Sequence, residues 1–277
     1  MPDQLTITLL VDNQAGDGLI AEHGLSMWLE YQGLHILFDT GQSCVLEKNA
    51  RKLGIDLNHA DVLVLSHGHY DHTGGIPCVL GRNDRTEVYC HPGITRQRYV
   101  IRDGKPRSIQ IPAPSLSAIS NHPGNKLHWT PEKTMLNDRI GITGSIPRTT
   151  AFEDTGGPFY LDTEGKHEDD IGDEIALWIE TTRGLVICLG CSHPGMINTL
   201  NFICSETGIQ DIYAIVGGFH LNSAGKQRIQ KTIDALQTFS PENIIPCHCT
   251  GEYAMKAMAQ HFGQRVLKSH SGMVYRF

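Results

Sequence analysis

Ser66-His67-Gly68-His69-Tyr70-Asp71-His72-Thr73-Gly74-Gly75 places three imidazoles and a carboxylate within six positions, directly after the continuously apolar run Val62-Leu63-Val64-Leu65. A short apolar run of that kind reads as a buried strand. His67 and His69 then leave the strand end close together, while Asp71 and His72 sit on the turn that follows. Glycines at 68, 74 and 75 permit tight backbone turns. The nitrogen and oxygen donors suit a borderline-soft divalent ion such as Zn²⁺. Solvated loop histidines would need no such spacing, so the stretch points to a metal centre.

Outward from it, the first third of the chain reads as strands with tight connections. Leu5 to Val11 is one strand, and Leu25 to Tyr31 and Leu34 to Asp39 flank a turn at Gln32-Gly33. Apolar residues at helical spacing between Cys44 and Leu53 predict a helix that stops at Gly54. From His91 to about Asp170 prolines recur at 92, 106, 112, 114, 123, 131, 147 and 158. The spacing predicts a loop-rich insertion over about 92–170, of short strands and long loops laid over one edge of the core, with loops that shape a substrate pocket. Regular alternation then returns: strands at Ile175 to Glu180, Leu185 to Leu189, Ile212 to Val216 and Asn243 to Pro246, and helices at Pro194 to Glu206, Ala224 to Phe239 and Glu252 to Phe262. Strands alternating with helices in two halves predict an α/β sandwich, read as a single domain over 1–277.

Composition bounds the function. A chain of 277 residues with 40% hydrophobic and 19% charged residues is that of a folded globular protein. A formal charge of −7 argues against a nucleic-acid partner, although Arg96, Arg98, Arg102, Lys105 and Arg107 form a local basic stretch. No apolar run reaches the roughly 18 residues of a membrane span, and the N-terminus has no secretion signal, so the expected compartment is the cytoplasm. The eight cysteines, at 44, 78, 90, 188, 191, 204, 247 and 249, are accordingly expected to be reduced thiols.

The stretch 66–75 resembles the His-x-His-x-Asp-His signature of the metallo-β-lactamase superfamily, and Phe38-Asp39-Thr40-Gly41 resembles the aspartate turn that precedes it there. Within the superfamily the chain looks most like the 7,8-dihydropterin-6-methyl-4-(β-D-ribofuranosyl)aminobenzene 5′-phosphate synthase-like subgroup. The blocks that carry this are HGLSMWLE at 23–30, LFDTGQS at 37–43, LSHGHYDHTGG at 65–75, CHPG at 90–93, LGCSHPGMINT at 189–199, VGGFHL at 216–221 and PCHCTG at 246–251. The resemblance covers nearly the whole chain. It implies a four-layer αββα sandwich with metal at one end of the two sheets and Asp39 orienting a ligand histidine.

Carried over residue by residue, the resemblance implies one ion held by His67, His69 and His91 and a second held by Asp71, His72 and His248. A bridging aspartate is expected after the strand Leu185 to Leu189, but this chain reads Gly190-Cys191-Ser192-His193. Cys191 is then either a thiolate replacing the carboxylate or a small buried thiol. His193 and His220 are extra ligands, groups that bind or protonate substrate oxygen, or histidines hydrogen-bonded in the core. Cys247 and Cys249, flanking His248 on opposite strand faces, read as packing residues.

The implied chemistry is attack by a metal-activated hydroxide, with Asp71 positioning metal and water, on a phosphorylated or otherwise anionic small molecule. The expected cofactor is zinc, one or two ions, with manganese or iron as alternatives. Arginines between Arg96 and Arg107, and Arg148, are expected to bind the anion. Two other functions stand beside this one: a pterin transferase that releases diphosphate, and a non-catalytic metal- or ligand-binding sensor.

Overall fold

Alternation along Val62–Leu65 shows how the layers arise. Val62 and Val64 pack into a core shared by two sheets, while Leu63 and Leu65 pack into a second core beneath helices, because successive side chains of a strand face opposite ways. The computed structural model describes residues 4–81 and 83–277. Among the described residues, one sheet runs Val274–Arg276, Thr6–Val11, Ser26–Tyr31, Leu34–Phe38, Val62–Leu65, Glu87–Cys90 and Leu127–Trp129. The other runs Asn243–Cys247, Ile212–Gly218, Gly184–Leu189, Leu177–Thr181, Ile140–Ile142 and Thr134–Asn137.

Among the described residues, three buried clusters separate four layers. The central one joins the sheets through residues such as Ile7, Met27, Phe38, Ile142, Leu177 and Val216. A second seals the helices Val45–Lys52, Ile76–Leu80 and Ala113–Asn121 onto the first sheet through Leu46, Ala50, Val79 and Ile119. The third seals Met196–Thr207, Lys226–Phe239 and Glu252–Phe262 onto the second sheet through Leu200, Ile203, Ile233, Leu236 and Met258. This is the αββα sandwich that the sequence predicts.

The stretch 92–170 holds the expected short strands and, beyond them, one helix. It supplies three strands that extend the two sheets and the helix Ala113–Asn121, whose Pro114 sits in the first turn, where a missing N–H costs nothing. It also builds a third sheet, in which Tyr99–Arg102 and Lys105–Ser108 pair through a two-residue turn at Asp103-Gly104 and Phe159–Tyr160 adds an edge. Positive φ at both turn residues matches the twist of a tight hairpin.

One expectation fails here. Cys44 and Cys78 form a disulfide between the start of the helix Val45–Lys52 and the helix Ile76–Leu80. The partners are 34 residues apart in sequence and meet because both helices cover the same sheet face, which no local spacing reveals. Cys90, Cys188, Cys191, Cys204, Cys247 and Cys249 are free thiols. Among the described residues no helix is long and apolar enough to cross a membrane.

Candidate metal centre

Parallel strands end together at one edge of each sheet, and the residues just beyond those ends converge. Leu34–Phe38 and Val62–Leu65 deliver Asp39, His67 and His69 from the first sheet. Gly184–Leu189, Ile212–Gly218 and Asn243–Cys247 deliver Cys191, His220 and His248 from the second. The chain turns sharply at each end: Asp39, Ser192, His220 and His248 have φ of 59°, 60°, 45° and 49°. A side chain held there costs on the order of 1–3 kcal/mol and persists only where the surroundings enforce it.

The outer nitrogens of four imidazoles are tied down, which frees the inner ones. His72 Nδ1 donates to Asp39 Oδ2 at 2.7 Å. Ser66 Oγ gives its proton to the same oxygen at 2.7 Å, so it accepts from His67 Nδ1 at 2.9 Å. His193 Nδ1 donates to the Thr155 carbonyl at 2.9 Å, and His248 Nδ1 to Asn13 Oδ1 at 2.9 Å. In its neutral form each ring thereby carries its proton on Nδ1 and turns the Nε2 lone pair inward, the arrangement in which an imidazole binds a metal.

The inner atoms lie close together. Donor atoms of His67, His69 and His193 fall within 4.8 Å of one another, as do those of His67, His72 and Cys191. So do those of Cys191, His193 and His220, of Cys191, His248 and Cys249, and of His23, Asp71 and His248. His67 Nε2 faces His69 Nδ1 at 3.0 Å, and His72 Nε2 faces the Cys191 sulfur at 3.2 Å. Asp71 Oδ2 lies 3.3 Å from His248 Nε2, 3.1 Å from His23 Nε2 and 4.0 Å from His72 Nε2. His193 is fully buried, yet its Nε2 has no hydrogen-bond partner among the described residues. An orphaned buried acceptor costs about 1–3 kcal/mol, and a metal ion would relieve it. The donor set therefore fits a zinc-class ion.

Electrostatics hold three of the rings neutral and one charged, and burial raises the Cys191 thiol well above its ordinary value. Burial, reinforced by neighbouring imidazoles, pushes His67 and His193 well below the ordinary histidine range, and burial takes His69 to about 3. These rings are neutral at physiological pH, as ligation requires. Burial works against ionised Asp71, but hydrogen bonds with His23 and His248 outweigh it and hold the carboxyl well below its usual range. Burial also opposes a charged His72, and Asp39 overcomes it, lifting the ring to about 9. At Cys249 burial raises the thiol, while Cys191 and His220 beside it carry it well below its ordinary value.

Buried acids hold the loops that carry the donors. Glu174 accepts from the backbone N–H groups of Cys191 at 2.8 Å, Ser192 and His193 at 2.6 Å; burial nonetheless lifts it to about 7. Asp173 Oδ2 accepts from Gly68 N at 2.9 Å and from Arg98 Nη1 at 2.8 Å, and Arg98 Nε reaches Asp169 at 2.8 Å. Gly68 has no room for a side chain, since a Cβ there would lie 2.3 Å from the Ile94 carbonyl oxygen.

Several expectations need correction. His91 does not join His67 and His69: its Nδ1 accepts from Gly93 N at 2.9 Å and its Nε2 faces Ser145 Oγ at 3.1 Å, and His193 stands beside the pair instead. A histidine before a proline ends the strand Glu87–Cys90 and caps the turn Pro92–Thr95. Arg98 is a buried ion-pair residue and Arg148 donates to the Asp170 carbonyl, so neither faces the centre as an anion binder. Cys249 lines the cavity rather than the strand face expected: the strand stops at Cys247, a short 3₁₀ turn runs from His248 to Thr250, and strict alternation stops with it. Cys247 does lie in the core between the sheets. His23, which the sequence offered only within its HGLSMWLE block, is the further member at Asp71.

Above these groups opens a cavity of about 910 Å³, with His69, Asp71, Cys191, His220, His248 and Cys249 among its lining residues. Tyr70 and Phe159 give it aromatic walls, and Arg102, Arg107, Lys268 and His270 line it as well. The two arginines come from the Tyr99–Arg102 and Lys105–Ser108 hairpin, where Arg107 approaches the Tyr70 ring to 6.0 Å.

A four-layer sandwich with a histidine-rich centre at its strand ends defines a class, and comparison with known proteins agrees. The family model of the metallo-β-lactamase superfamily matches residues 20–181, and the chain belongs to that superfamily. Among named relatives, it is 31% identical to the 7,8-dihydropterin-6-methyl-4-(β-D-ribofuranosyl)-aminobenzene-5′-phosphate synthase of Methanocaldococcus jannaschii, over 99% of this chain and 97% of the relative. An uncharacterized protein of the same organism, MJ0448, is 29% identical over 92% of this chain and 94% of its own length. The crystal structure of Tm1679, a metal-dependent hydrolase of the β-lactamase superfamily, superposes with a TM-score of 0.84 at 30% identity, covering 98% of both chains.

Proposed function

We propose that the chain is a metal-dependent hydrolase acting on a phosphorylated or otherwise anionic small molecule. The observation that carries this reading is the His193 Nε2, buried and unpartnered beside His67 and His69, beneath a cavity lined by Arg102 and Arg107. His67, His69 and His193 would hold one ion and Asp71, His72 and His248 a second, with Cys191 between them. A zinc-class ion, or manganese or iron, supplies there an activated water and polarises a phosphoryl or carbonyl oxygen.

The chain's own residues do the remainder. Arg102 and Arg107 bind the anionic group by charge-assisted hydrogen bonds, and Tyr70 and Phe159 hold a flat or apolar portion of the substrate. His220, whose Nδ1 has no partner among the described residues, would hold a proton for the leaving oxygen. Asp39, through Ser66 and His72, keeps the ligand rings in their binding tautomers.

A second reading is a transferase that joins a pterin to an aromatic acceptor with release of diphosphate. It is favoured by the likeness to the named synthase over nearly the whole of both chains. An assay of metal-loaded protein against phosphomonoesters, phosphodiesters and a pterin diphosphate with and without the aminobenzene acceptor separates the two. Turnover of simple phosphate esters that stops on chelation supports hydrolysis. Product formed only when both pterin diphosphate and acceptor are present supports transfer and overturns the hydrolase.

A further inference from the structure

The turn His248–Thr250 presents two consecutive side chains to one place. In an extended strand His248 and Cys249 would face opposite ways, but the strand ends at Cys247 and His248 takes a φ of 49°. The Cys249 sulfur consequently lies with Cys191 and His248, all three donor atoms within 4.8 Å of one another. Gly218 makes the room, since a Cβ there would lie 2.5 Å from that sulfur. Cys249 Sγ also reaches the Cys191 carbonyl at 3.7 Å, and the residue lines the cavity. The donor atoms of His193, whose buried Nε2 has no partner among the described residues, and of His220 also lie within 4.8 Å of the Cys191 sulfur.

We propose that Cys249 is a metal ligand, completing with Cys191 and His248 a thiolate-bearing position within the centre. The proposal rests on the metal-centre reading above and adds to it a donor and a selectivity. Two sulfurs and one imidazole suit zinc, cobalt or ferrous iron, whereas carboxylate- and water-rich sites suit magnesium and manganese. On ligation each thiol releases its proton to solvent. Cys191 then stands between two sets of donors, and Cys249 anchors the ion on the His248 side.

Cobalt substitution of the full chain tests this without any assay of turnover. The cobalt-loaded protein should show near-ultraviolet thiolate-to-cobalt absorption. That band should fall by about half in Cys249→Ser, one of two thiolate donors being gone, and Cys249→Ala should behave alike. Cys204→Ser, on the distant helix Met196–Thr207, should leave it unchanged. Native intensity per chain in both Cys249 variants, at native cobalt content by elemental analysis, would overturn the ligand role and leave the metal centre standing. A native chain that takes up no cobalt would instead remove the metal reading on which the proposal rests.

Discussion

Asp39 receives three hydrogen bonds from two residues: Ser66 N and Oγ, each at 2.7 Å, and His72 Nδ1 at 2.7 Å. One carboxylate thus aligns His72 directly and His67 through the Ser66 hydroxyl. Asp39→Asn keeps the shape but replaces one accepting oxygen with a donor that cannot pair with them all. Zinc affinity, measured by competition with a chromophoric chelator, is expected to fall about 10–100-fold; an unchanged affinity would show that the tautomers are set elsewhere. The histidines make a sharper contrast. His193→Ala should lose metal on dialysis, while His91→Ala, which removes only a turn cap, should retain it, and elemental analysis of the two variants would reverse the assignment if the pattern were inverted. Local spacing revealed His67, His69, Asp71 and His72 because one strand and one turn carry all four. It could not separate His91 from His193, because both follow apolar strands and only the packing of the sheets decides which ring faces the pair.

At the scale of elements, the hairpin Tyr99–Arg102 and Lys105–Ser108 has two separate tasks. Its buried root is Arg98, bound to Asp169 and Asp173, and Asp173 in turn holds Gly68 N between the two metal-facing histidines. Arg98→Met leaves two buried carboxylates without their cation, a loss of about 3–5 kcal/mol that thermal denaturation would register. Stability within about 0.5 kcal/mol of the native chain, the range of an ordinary surface change, would refute that role. The exposed end carries Arg102 and Arg107 to the cavity. Arg102→Ala and Arg107→Ala should each raise KM for an anionic substrate about tenfold, the worth of one charge-assisted hydrogen bond, with kcat changed far less. A loss confined to kcat would move these residues from binding to chemistry. The sequence marked this segment as basic and proline-broken but did not distinguish the buried arginine from the exposed ones, since their difference lies in the acids at 169 and 173 that fold back over the hairpin.

For the molecule as a whole, apolar patterning predicted the inner strands of both sheets and four of the covering helices, whereas Leu127–Trp129, Thr134–Asn137, Ile140–Ile142 and the helix Ala113–Asn121 lie in the stretch read as loop-rich. Each strand shows one face to the other sheet and one to helices, and the three clusters of buried side chains follow that pattern. What escaped the sequence arises where separate elements meet: the Cys44–Cys78 disulfide, His23 against Asp71, and Cys249 against Cys191. Strand ends from both sheets gather the donor atoms of a candidate metal centre around His67. Anomalous diffraction at the zinc edge from crystals grown with zinc tests it most directly. Anomalous density is expected against His67, His69 and His193, with a second peak against Asp71, His72 and His248 and sulfur ligation from Cys191. Zinc bound only at surface histidines, with His193 Nε2 still unpartnered, would contradict it.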